Sequence, residues 1–159
     1  MPTPAIDYNR ALRCANDADA FAVLLRAAEA GCVRAQFLVG LAYHAGRGVK
    51  VDYQRAASWY RKAACCADPN AIANLGCMSA LGQGVPADDV DAFTWLQSAV
   101  TLGHGELRPA LEVMERRISG GGAAAAADAA VILALVAPNI PNLRPCTLPE
   151  CTPSRCTAA

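Results

Sequence analysis

An excess of charge of either sign is absent from this 159-residue chain: fourteen Lys and Arg balance fourteen Asp and Glu. With no net field, electrostatic capture by nucleic acid or an anionic membrane is not expected. Histidine is scarce as well, with only His44 and His104, and aromatic residues make up 6%. So few imidazoles leave little material for acid–base or metal chemistry. No apolar run reaches the roughly 20 residues that cross a bilayer; the longest, residues 123–137, contains Asp128. The opening residues Met1 to Tyr8 lack a charged stretch followed by an apolar one, so export is not expected. The expected compartment is the cytoplasm, or the nucleus in a eukaryote, where the eight cysteines would be reduced thiols.

What is abundant is alanine. The hydrophobic fraction is 54%, but 35 of those residues are Ala, so a core must form by close approach of small side chains. Length allows one domain or a short repeat array, and high apolar content at zero net charge argues against disorder throughout.

A shift of 36 residues superimposes the middle of the chain on itself. It pairs Ala35 with Ala71, Gly40 with Gly76, Gly46 with Gly82, Gly48 with Gly84 and Val49 with Val85. It continues through Asp52 with Asp88, Ala56 with Ala92, Trp59 with Trp95 and Ala63 with Ala99. A period of this size belongs to stacked helical units, none of which can bury its apolar face alone. Ala35, Leu38, Val39, Ala42 and Tyr43 fall at helical spacing, and Gly46 and Gly48 end that helix. Asp52 is suited to cap a second helix that carries Ala56, Trp59, Tyr60 and Ala63 on one stripe. Asn16 takes the cap position one period earlier. One period later, residues 107–118 and 123–137 take the two helix positions.

These residues resemble the Sel-1-like repeat family, relatives of the tetratricopeptide repeats. The resemblance is carried by Ala35, Val39, Gly40, Tyr43, Gly46, Gly48, Val49, Asp52, Ala56, Trp59, Tyr60, Ala63 and Ala64. The second unit departs from the pattern at Ser79 and Leu96. It implies an all-α fold, a short right-handed α-solenoid of helix-turn-helix repeats. The expected organisation is an N-terminal segment 1–15 and a repeat region 16–118 with full units at about 35–70 and 71–106. A Gly/Ala-rich loop and capping helix at 119–137 and a disordered Pro/Thr/Cys tail at 138–159 complete it.

Candidate chemistry is thin. His44 and His104 lie beside no evident nucleophile and read as helix-end residues. Gly46-Arg47-Gly48 and Gly82-Gln83-Gly84 follow helices, not strands, which removes the context for a phosphate loop. Asp88, Asp89 and Asp91 suit the first turn of a helix. Cys146, Cys151 and Cys156 are spaced C-x4-C-x4-C and are the one metal candidate, short of the four ligands a closed zinc site needs. Cys146 and Cys151 are similar to the opening of the MYND-type finger that follows Sel-1-like repeats in some proteins, where the resemblance implies a recruitment factor for ubiquitin or chromatin machinery. A secreted, cysteine-rich branch with attributed β-lactamase activity pairs cysteines at the positions of Ala64 and Ile72; this chain has neither.

The expectation is therefore a non-catalytic adaptor or scaffold without a cofactor, binding a protein or peptide along the first helices of its repeats. Arg34, Phe37, Leu41 and His44 in one unit, with Asn74 and Cys77 in the next, are the candidate contact residues. Gly40, Gly46, Gly48, Asp52 and Trp59, with Gly76, Gly82, Gly84, Asp88 and Trp95, are the expected structural positions.

Overall fold

The computed structural model describes residues 16–120 and 125–136, and among these every regular element is helical. The described helices fall into two compact units that divide after Asp68. The expected segment 1–15 and tail 138–159 lie outside the described residues.

The first unit contains α1 (Asp17–Glu29), α2 (Val33–Ala45) and α3 (Tyr53–Cys65). Asn16 caps α1 by accepting a hydrogen bond from the Asp19 backbone N–H at 2.8 Å. Asp52 caps α3 in the same way, accepting from the Arg55 N–H at 3.0 Å. Both satisfy donors that a helix start leaves without an intrahelical partner. The core is built from Ala27, Ala35, Ala56 and Ala63, all fully buried, with Phe37, Val39 and Tyr60 filling the space around them. Small residues at the contact rows let the helix axes come close enough for these few large side chains to seal the interior.

The second unit contains α4 (Pro69–Leu81), α5 (Asp89–Thr101), a 3-10 turn (Gly105–Leu107), α6 (Arg108–Ile118) and α7 (Ala125–Val136). Asp88 caps α5 by accepting from the N–H groups of Val90 and Asp91, each at 2.9 Å. Ala71, Ala92 and Ala99 repeat the buried alanines one period on, and Met78, Leu96, Leu107 and Met114 fill the core. The α6 and α7 helices are joined by Arg116 Nη1, which donates to Asp128 Oδ1 at 3.2 Å, and Ile132 is fully buried. Asp128, the acid inside the long apolar run, thus has a cation waiting for it. Arg117 ties α6 to α5 through Asp89 Oδ1 at 2.7 Å and donates to the Ala80 carbonyl at 3.4 Å.

The turns are copied as faithfully as the helices. Within each hairpin, the N–H of Asp52 donates to the Tyr43 carbonyl and that of Asp88 to the Ser79 carbonyl. After each second helix the N–H groups of Cys32, Asp68 and His104 donate to the carbonyls of Ala27, Ala63 and Ala99. That last turn requires a left-handed residue, supplied by Gly31 (φ 92°), Ala67 (φ 59°) and Gly103 (φ 112°). Gly48 is required twice over: its φ is +70°, and a Cβ there would collide with the Asp17 carbonyl.

Two expectations are corrected. Trp59, expected on one stripe with Ala56, Tyr60 and Ala63, is only half-buried, as is Trp95, whereas Tyr60 and Leu96 are fully buried. Tyr60 and Trp59 flank the line through Ala56 and Ala63 at equal angles; Tyr60 packs against Gly40 of α2, and Trp59 takes the outer side. There its ring carries the Lys62 ammonium 3.8 Å from its centroid. The expectation of uniformly reduced cysteines fails at Cys66, which is disulfide-bonded, while Cys65 and Cys77 are free thiols. Cys66 is the cap residue at which α3 ends, one position beyond the free Cys65.

Candidate functional site

The expected contact residues separate by burial. Arg34, Leu41 and His44 are half-buried on α2, one helical turn or two apart, and so reach the surface together. Phe37, Asn74 and Cys77 are buried and are corrected from contact residues to core. The cause lies in the first helices themselves: every residue of α4 from Ala71 to Ala80 is buried, so this helix has no open face over that stretch. Burial also pushes the Cys77 thiol up to about 12, which keeps it protonated and unreactive at neutral pH.

In the first unit a cation and four rings run in sequence. The Arg34 guanidinium lies 5.2 Å from the Phe37 ring centroid, and Phe37 lies 5.8 Å from Tyr60. Tyr60 is 6.3 Å from the His44 ring, which meets Tyr53 edge-on at 5.2 Å. Phe37 and Tyr60 are the buried floor of this row; Arg34, Leu41, His44 and Tyr53 are its accessible members. Tyr53 was not among the sequence candidates, although its place in the repeat is informative. The second unit has Asp89 there, which is engaged by Arg117, whereas Tyr53 is 38% exposed and beside His44.

The electrostatics of the row are uneven. Among the described residues no carboxylate pairs with Arg34. His44 Nδ1 is buried without a hydrogen-bond partner among them, and desolvation holds the His44 pKa below its usual value, favouring the neutral ring. His104 is engaged elsewhere: its Nδ1 donates to Glu106 Oε1 at 2.5 Å, a contact that lowers the Glu106 carboxyl below its usual range.

Neither histidine is hydrogen-bonded to a nucleophilic side chain among the described residues. No cluster of three or more metal-ligating side chains occurs among the described residues. Cys146, Cys151 and Cys156 lie outside them. No described helix is long and apolar enough to cross a membrane. The row itself has a cation at one end and the rings of His44 and Tyr53 at the other.

The comparisons with known proteins agree with the helical hairpins. The Sel1 repeat family matches residues 33–68 and 69–104. The ERAD-associated E3 ubiquitin-protein ligase component HRD3A of Arabidopsis thaliana is 44% identical over 63 residues, which is 40% of this chain and 9% of that protein. The chain thus corresponds to a small part of that relative. A crystal structure of a Sel1 repeat protein from Oxalobacter formigenes is similar with a TM-score of 0.59 and 39% identity, covering 62% of this chain and 29% of that one. A protective antigen of uropathogenic Escherichia coli displaying an SLR fold is similar with a TM-score of 0.63 and 28% identity, covering 81% of this chain and 27% of that one. The hairpins 33–68 and 69–104 each match the Sel1 repeat, and that central part of the chain is where the likeness to Sel1 repeat proteins lies.

Proposed function

We propose that this chain is a non-catalytic adaptor that binds a peptide or protein through the accessible face of α2, with Arg34, Leu41 and His44 as contact residues. The observation that carries this reading is the half-buried row in which Arg34, without a carboxylate partner among the described residues, and His44 lie beside the buried rings of Phe37 and Tyr60. Residues already ordered by packing lose little entropy on binding, which makes such a row an efficient contact surface. The likeness to a component of a ubiquitin ligase assembly supports a role among protein partners. The balanced charge supports recognition by shape and by local groups in preference to a long-range field.

The test is affinity capture with the chain as bait. Replacing Arg34, Leu41 and His44 together by Ala is expected to abolish partner capture while leaving the helical circular dichroism unchanged. Unchanged capture by the triple variant removes the assignment.

A further inference from the structure

The accessible row on α2 is polar in a directional sense, and that direction specifies a partner. At one end the Arg34 guanidinium has no carboxylate among the described residues. The first turn of α2 contains no acidic residue either, in contrast to the two acids in the first turns of α1 and of α5. The guanidinium therefore adds to the positive end of the helix dipole instead of being offset by it. A guanidinium already seated on a ring is weakly hydrated and presents its remaining donors in a fixed plane, the arrangement that carboxylates match best.

The other end has the opposite character. His44 meets Tyr53 edge-on, Tyr53 is 38% exposed, and Leu41 lies between this end and Arg34 along the helix. Rings and an aliphatic side chain here offer apolar contact and no charge. Arg34 and His44 are ten residues apart on one helix, a rise of about 15 Å. An extended chain advances about 3.3 Å per residue, and residues four apart point to the same side, so four steps span about 13 Å.

We propose that this face takes an extended peptide segment bearing an Asp or Glu carboxylate on Arg34 and an apolar or aromatic side chain, four residues away, against His44 and Tyr53. The inference rests on the reading of the α2 face as the binding surface and adds the chemical class and spacing of what binds. The carboxylate supplies the counter-charge that Arg34 lacks among the described residues, and the spacing follows from the rise of the helix.

The probes are two fluorescein-labelled nine-residue peptides on a Ser/Gly background, with Glu and Trp four positions apart, one in each order along the chain. Fluorescence anisotropy with the full chain should show saturable binding of one of them, weakening as salt is raised. Changing the peptide Glu to Gln, or Arg34→Gln in the protein, should each weaken binding about tenfold, as loss of one charge-assisted hydrogen bond implies. Arg34→Lys should recover part of that loss, and Tyr53→Ala should weaken the Trp peptide while leaving a peptide with Ala in place of Trp unaffected. Circular dichroism of each variant reports folding separately.

Equal affinity for the Glu and Gln peptides overturns the carboxylate assignment. If in that case Leu41→Asp abolishes binding, the α2 face still stands as the binding surface and only the acidic class is lost. Absence of binding by both peptides, together with unchanged partner capture by Leu41→Asp, overturns both readings.

Discussion

A Cβ placed on Gly40 would stand 2.7 Å from two ring carbons of Tyr60, and one placed on Gly76, a period later, would stand 2.8 Å from Leu96 Cγ. The two pairs are the same contact in successive repeats, where a first helix lies so close to its second helix that a single methyl group does not fit. Tyr60 and Leu96 are both fully buried, so neither can swing aside.

Gly40→Ala and Gly76→Ala are accordingly expected to destabilise the chain, although Ala is the better helix former by about 1 kcal/mol. Overpacking of this kind costs about 1–3 kcal/mol and should outweigh that gain. Urea unfolding followed by circular dichroism measures the balance. A variant as stable as the parent would show that the helices separate easily.

Ala67 should respond in the opposite direction. It holds φ 59° at the turn where Gly31 and Gly103 stand in the neighbouring copies. The left-handed conformation costs an L-residue about 1–2 kcal/mol, part of which Gly returns as unfolded-state entropy. Ala67→Gly is expected to stabilise the chain by about 0.5 kcal/mol, read as a higher urea midpoint with an unchanged slope.

The Arg116–Asp128 pair is expected to behave asymmetrically. The Asp128 side chain is 7% exposed and that of Arg116 51%, so removing the arginine strands a buried carboxylate. Arg116→Ala should cost about 1–3 kcal/mol, and adding Asp128→Asn should recover part of it. Limited proteolysis should locate the loosening at α7. A double variant less stable than Arg116→Ala alone would contradict this account.

Acid should weaken the first unit through His44. Its folded-state pKa lies below the ordinary 6.5 because burial disfavours the cation, so the unfolded chain binds the proton more readily. Stability is then fully present above that value and lost progressively as pH falls below it. Urea midpoints at pH 7.5 and 5.5 should differ for the parent and converge for His44→Phe.

The free cysteines should differ in reactivity. Cys65 is exposed at the end of α3, whereas Cys77 is buried with its thiol pushed up to about 12. A maleimide should label Cys65 in the native chain and reach Cys77 only after denaturation.

Much of the fold was legible in the chain because its signals are local. Asn16, Asp52 and Asp88 each sit where a cap must, and a cap needs only its own first turn. The paired glycines Gly46 and Gly48, and Gly82 and Gly84, adopt φ values of 67–71°, as their turns demand. The site was less legible. Helical spacing groups Arg34, Phe37, Leu41 and His44, but it does not say which of them a neighbouring helix covers. In α4 the covering runs from Ala71 to Ala80, and it removed Asn74 and Cys77 from the surface.

The sequence by itself determined the 36-residue period, the helix starts and stops, and the small residues that permit close packing, because each of these depends on near neighbours in the chain. Tertiary structure decided that Tyr60 and Leu96, not the tryptophans, seal the hairpins, and that Asp128 is partnered by Arg116. It also decided that Tyr53 joins Arg34, Leu41 and His44 at the surface. Those outcomes turn on which faces meet across helices, a relationship that no single helical stripe contains.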